Sequence, residues 1–131
     1  TVTICTLNEA KNIENCIRAI QKSGINRIIV VDASSQDGTS DLARSAGAEV
    51  IVVPKKGLSS QRRVCVLSTR TKYVALLDAD HRPTIGCWET LISEINKYSF
   101  GSYFVIVTAS YTAQPDKLNK NKVNIILRIL K

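Results

Sequence analysis

Apolar positions along the chain alternate between two rhythms. Val2 to Leu7, rich in Thr, Val and Ile, reads as a first strand. Arg27 to Val31 and Tyr73 to Leu77 are short apolar runs closed by Asp32 and Asp78, the pattern of strands buried on both faces. Glu49 to Val53, stopped by Pro54, predicts a further strand, and Tyr103 to Thr108 a last one. Between them the spacing lengthens to three and four residues. Ala10, Ile13, Ile17 and Ile20 predict a helix with Gly24 at its C-terminus, and Leu42, Ala43 and Ala46 a short one stopped by Gly47. Leu58 to about Thr69 predicts a third helix, with Arg62, Arg63 and Arg70 on a basic face. Trp88, Leu91, Ile92 and Ile95 predict a fourth, starting near Thr84.

Strand alternating with helix over the first hundred residues implies an α/β fold, a mainly parallel, doubly wound sheet with flanking helices. Ligands of such sheets bind at the carboxyl ends of the strands, where Asn8, Glu9, Asp32, Lys56, Asp78 and Asp80 would collect. Residues 1–110 read as one core. The tail, 111–131, is polar and Pro-interrupted at first; from Lys117 it mixes Lys and Arg with Leu, Val and Ile. It is expected either to pack as a helix or to lie as a basic helix on an anionic membrane surface.

Asp78 and Asp80 carry the sharpest chemical signal. Side chains two apart on an extended chain point the same way, so both carboxylates can aim at one point. Two hard oxygen ligands at a strand's carboxyl end suit a divalent cation that carries phosphates. Taken alone, the pair reads first as an ordinary solvated strand end.

Composition narrows the partners. A formal net charge of +7 points to an anionic one, whether nucleotide, nucleic acid or membrane surface. One Trp, four Tyr and two Phe spread along the chain form no stacking platform, which argues against nucleic acid. Cys5, Cys16, Cys65 and Cys87 lie far apart, without the spacing of a zinc site. Three of them fall in apolar periodic segments, which implies buried, reduced thiols and an intracellular compartment. No secretory signal opens the chain, and no apolar run approaches the roughly 18 residues of a membrane span. The expected location is cytoplasmic, with contact at the membrane face through residues 117–131 as a second expectation. The chain opens on Thr1 rather than Met, as a trimmed start would.

Specificity comes from order and spacing. A strand ends in Asn8-Glu9; Val-Val-Asp32 is followed by Ser34-Ser35 and Asp37-Gly38-Thr39; Lys56-Gly57 precedes Ser59-Ser60-Gln61-Arg62; and Leu76-Leu77 leads into Asp78-Ala79-Asp80. Over roughly residues 1–95 the chain resembles the family 2 glycosyltransferases, nucleotide-sugar enzymes of the Rossmann-like GT-A fold. The resemblance implies metal-dependent, inverting transfer of a sugar from a nucleoside diphosphate, most commonly uridine diphosphate, with Mg²⁺ or Mn²⁺. It implies that Thr6, Asn8 and Glu9 line the base and ribose, that Asp32 accepts a hydrogen bond from the base, and that Arg62 lies near base and diphosphate. Asp80 would ligate the metal, and Asp78 would reach the ribose or a metal-bound water. Arg63 stands where the family often has Asn.

Asp37 is expected to cap the second helix rather than touch ligand, and His81 to be a loop residue at the lip. Beyond residue 95 the family pattern is missing. Inversion needs a carboxylate base for the acceptor hydroxyl, and Asp116 is the only Asp or Glu after Glu94. The acceptor half is therefore expected to be truncated, with Asp116 its candidate base and the acceptor unknown. Two other readings stand beside the transferase. One is a nucleotide-sugar-binding module without catalysis, and the other a phosphatase whose first Asp is the nucleophile. The second fits poorly, because its Asp pair normally ends the first strand.

Overall fold

In the computed structural model, which describes residues 1–54, 57–97 and 106–107, five strands form one parallel sheet. The elements run β1 (Val2–Thr6), α1 (Ile13–Lys22), β2 (Ile28–Asp32), α2 (Thr39–Ser45), β3 (Glu49–Val52), α3 (Leu58–Leu67), β4 (Val74–Asp78), α4 (Cys87–Lys97) and β5 (Ile106–Val107). Strand order is β3-β2-β1-β4-β5, with every described pairing parallel. The α/β, doubly wound expectation holds.

The strands are apolar on both sides because helices cover both faces of the sheet. Even positions of β1 and β2, with odd positions of β4, pack against Ile13, Cys16, Ile17 and Ile20 of α1, Ala43 of α2 and Trp88 of α4. The opposite positions, Cys5, Ile29, Val31, Val74 and Leu76, pack against Val64 and Cys65 of α3. The chain leaves β1 to one side through β2 and β3, then crosses back by α3 to enter β4 on β1's other side. That reversal opens a crevice at the carboxyl ends of β1 and β4. Register fixes what meets there: Thr6 lies beside Asp32, and Cys5 beside Asp78.

Three local expectations are corrected. Ala10 does not belong to the first helix. The N–H groups of Asn12 and Ile13 both turn back to the Glu9 carbonyl, and α1 begins only at Ile13. The last helix likewise starts at Cys87, after the turn at Ile85 and Gly86, rather than near Thr84. Ile92 was expected inward, yet it is 40% exposed; among the described side chains of α4, Trp88 packs on the core, and its Nε1–H donates to Ser23 Oγ. Of the strand expected at 103–108, the described part is Ile106–Val107. The tail 111–131, Lys56 and Asp116 lie outside the described residues.

Ile17 is fully buried between α1 and the sheet, and Ile17→Ala should cost about 2–5 kcal/mol of unfolding free energy in urea denaturation. Ile92→Ala should cost under about 0.5 kcal/mol, as surface substitutions do.

Candidate functional site

The carboxyl ends of β1, β2 and β4, together with the start of α3, enclose an open cleft of about 410 Å³. Cys5, Thr6, Leu7 and Glu9 line it from β1 and its turn, and Ala33 from β2. Gly57, Leu58 and Gln61 line it from α3, and Asp78, Ala79 and Asp80 from β4. This volume is within the usual range for small-molecule sites.

The loops around it are held by side chain to backbone bonds, because chain leaving a buried strand loses its ladder partners and must find others. The Asn8 N–H donates to Ser35 Oγ at 2.8 Å, and the Gln36 N–H donates to Asn8 Oδ1 at 3.0 Å. The Glu9 N–H donates to Thr39 Oγ1 at 2.8 Å, and the Ala10 N–H to Asp37 Oδ2 at 2.9 Å. Asn8 and Ser34 both take left-handed backbone, with φ of 57° and 58°, a conformation that costs a non-glycine residue energy and clusters at functional loops. Asp37 also accepts the Thr39 N–H at 3.1 Å, so it does cap the start of α2 while bridging to the β1 turn. Its carboxyl is held below the usual range by the Thr39 hydroxyl and by the Ala10 N–H.

Asp32 lies beneath the cleft rather than in its wall. It is 1% exposed and accepts Thr6 Oγ1 at 2.8 Å, the Ser35 N–H at 2.8 Å and the Ser35 hydroxyl. Burial alone would raise its pKa; the hydrogen bonds from Ser35 and Thr6 outweigh burial and lower it.

At the other end, Asp80 is exposed, with 72% of its side-chain surface open, and shares the lip with Asp78. The turn that carries them is braced from behind. The Asp78 N–H donates to His81 Nδ1 at 2.9 Å, and the same ring nitrogen lies 3.0 Å from the Asp78 carbonyl oxygen. Arg82 Nη1 donates to the carbonyls of Ala79 at 2.9 Å and His81 at 2.8 Å. His81 is in a loop as expected, but buried, and its Nε2 is a buried side-chain polar atom without a partner among the described residues.

Of the residues singled out in the sequence, Thr6, Glu9, Asp78 and Asp80 meet in one cleft. Asn8 braces its rim, and Arg62 is half-buried on α3 outside the lining. Gln61 was not singled out, although Leu58, Gln61 and Cys65 are spaced three and four apart, which puts its amide on the inward stripe of α3. Gly57 takes φ 91° and ψ 163°, open in practice to glycine alone, where α3 begins at the cleft. Behind the wall the Cys5 and Cys65 sulfurs are 3.5 Å apart; that contact and burial push the Cys5 thiol up. The four cysteines are free thiols, Cys87 being the one not buried.

The model of the glycosyl transferase family 2 matches residues 1–129. The chain belongs to that family. The match extends past the motif-bearing first 95 residues. An uncharacterized glycosyltransferase of Mycobacterium bovis is 35% identical over 97 residues, which is 74% of this chain and 44% of that protein. Glycosyltransferase AglJ of Haloferax volcanii is 37% identical over 76 residues, 57% of this chain and 25% of that one. The chain thus spans less than half the length of these curated relatives. Among solved structures, mannosyl-3-phosphoglycerate synthase of Rubrobacter xylanophilus matches with a TM-score of 0.58 at 28% identity, covering 65% of this chain and 31% of that one. Glucosyl-3-phosphoglycerate synthase of Mycobacterium tuberculosis, solved with Mn²⁺, uridine diphosphate and glucosyl-3-phosphoglycerate, matches at 0.57 and 27%, covering 63% and 34%.

The metal this family implies fits the donors present. Among the described residues no three His, Cys, Asp or Glu side chains form a cage. Two carboxylates at an open lip are what a Mg²⁺- or Mn²⁺-type ion needs when phosphates and water complete its shell.

Because the folded Asp32 titrates below the ordinary carboxylate value, its ionised form stabilises the fold above that value. The contribution is lost as pH falls through the lowered one. Asp32→Asn should therefore lower stability at pH 7 by about 1–3 kcal/mol. The gap to wild type should narrow below about pH 3.9, as read by urea denaturation at several pH values.

Proposed function

We propose that the cleft binds a nucleoside diphosphate sugar with Mg²⁺ or Mn²⁺, and that the chain is the donor-binding half of an inverting sugar transferase. The observation that carries this is the convergence of Asp78 and Asp80 with Thr6 and Glu9 in one open cleft at the switch point of a parallel sheet. Uridine diphosphate and Mn²⁺ bound to a solved relative of the same fold support it.

In this reading Asp80, an exposed carboxylate of the turn, is the metal ligand, and Asp78 holds the ribose or a metal-bound water. His81 and Arg82 keep the turn in place from behind through the contacts described. The metal, when bound, would neutralise charge on the departing diphosphate. Thr6 and Glu9 line the nucleoside side, and Asn8 fixes their loop. Asp32 supports the floor by holding Thr6 and Ser35. Arg62, on the same helix as Gln61, supplies positive charge near the diphosphate. Deprotonation of the acceptor hydroxyl falls to a carboxylate beyond this cleft, for which Asp116 is the candidate.

Calorimetric titration of the chain with uridine diphosphate in Mn²⁺ tests the donor site. Asp80→Ala should weaken binding by about 10- to 100-fold or more, the scale of losing a metal contact, and chelation of the metal should do the same. Equal binding by wild type and Asp80→Ala, or independence of the metal, would refute the assignment. Tight binding with no donor turnover under any acceptor would favour the non-catalytic module instead.

A further inference from the structure

Two thiols that the donor reading leaves unused meet behind the cleft. Cys5 is on β1, one residue before Thr6, and Cys65 is on α3, one helical turn after Gln61. Both are buried and free, and their sulfurs stand in direct contact at 3.5 Å. Cys5 is among the residues that line the cleft and keeps 9% of its surface open, whereas Cys65 is sealed. The cleft is therefore the side from which a small oxidant comes up to the pair. The hydrogen bond with Cys5 holds the Cys65 thiol below the usual thiol range against its burial, which favours the thiolate, the form that reacts with oxidants.

A disulfide needs its sulfurs at about 2.05 Å, so closing this contact takes roughly 1.5 Å, shared between side-chain rotation and a shift of backbone. β1 has little backbone movement to give, since it is paired with β2 on one side and β4 on the other. α3 meets the sheet through side chains, with Val64 and Cys65 in the apolar layer and Gln61 on the carbonyls of Thr6 and Val31. The helix is the element that yields, and its first turn, with Gly57, Leu58 and Gln61, lines the cleft. On the strand side, Cys5 stands beside Asp78 in register and next to Thr6 in sequence. A change at the pair is thus felt in the walls on both sides of the site.

We propose that Cys5 and Cys65 are an oxidation site that closes to a disulfide under a hydroperoxide and thereby weakens binding in the adjoining cleft; the effect on binding rests on the donor-site reading above. A thiolate of the pair attacks the hydroperoxide, the O–O bond breaks, and that sulfur becomes a sulfenic acid as water or an alcohol is released. The other sulfur, already in contact, attacks it; the S–S bond forms, the S–O bond breaks, and a further water leaves. Both thiol protons end in the released molecules, and the electrons given up by the two sulfurs reduce the peroxide. Whichever sulfur is oxidised first, its partner is in place. A dithiol reductant reverses the bond by exchange.

The test treats the whole chain with hydrogen peroxide and maps its thiols by mass spectrometry of a non-reducing digest. The peptides carrying Cys5 and Cys65 should appear joined, and dithiothreitol should separate them. Calorimetric titration with uridine diphosphate in Mn²⁺ should show affinity lower by about tenfold or more in the oxidised chain, the scale of one lost polar contact, and recovered on reduction. Cys65→Ala, checked for folding by circular dichroism, should bind alike before and after peroxide. Peroxide that leaves both thiols free, or carries them to sulfinic and sulfonic acids without joining the peptides, overturns the inference on the wild-type chain alone. So does a joined pair with unchanged affinity, or a loss of affinity that persists in a folded Cys65→Ala. A reduced chain that binds no uridine diphosphate refutes the donor site instead, and the peptide map still decides whether the disulfide forms.

Discussion

Where β1 and β2 end, backbone carbonyls and a carboxylate leave the sheet still buried, and each needs a partner. Two side chains meet that need. Asp32 collects the Thr6 hydroxyl and both donors of Ser35, and Gln61 reaches across from α3 to cap the carbonyls of Thr6 and Val31. Those contacts hold two strands, a loop and a helix in one fixed relation. Leu7, Ala33 and Leu58 take their places on the cleft wall because this floor is set, and the Asn8 to Ala10 loop is pinned to residues 35–39 just above it.

The two ends of the cleft are built on different principles. The β1–β2 end is closely tied: Asp32, Thr6, Ser35 and Gln61 are paired beneath it, and Leu7, Ala33 and Leu58 reach the cleft beside Thr6 and Glu9. The β4 end is open, with Asp80 in solvent and the bracing placed behind the turn in His81 and Arg82. A nucleoside held by the shape of its pocket gains from the first arrangement. A metal that brings its own phosphates and water gains from the second.

The sheet and its helices were legible because β1, β2 and β4 are apolar throughout and the helices between them keep a three- and four-residue spacing. The Asp pair was legible because it ends such a strand. What periodicity did not convey was side-chain direction at the rim. Ala10 sits at helical spacing from Ile13, yet the Glu9 carbonyl and the pairing of the Ala10 N–H with Asp37 hold it in a loop. Ile92 also keeps the spacing, but among the described side chains of α4 it is Trp88 that packs on the core. The pairing of Asp32 with Thr6 and Ser35 follows from the register that sets Thr6 beside it, which one strand's sequence does not contain. Gln61 sat unremarked among arginines, since its value lies in two carbonyls 55 and 30 residues away.

The most direct measurement is a crystal structure of the chain soaked with uridine diphosphate and Mn²⁺. The account predicts anomalous density for the metal beside Asp80, the diphosphate against it, and the nucleoside along the cleft lined by Thr6 and Glu9. A nucleotide bound elsewhere, or no density in the cleft at saturating ligand, would contradict it.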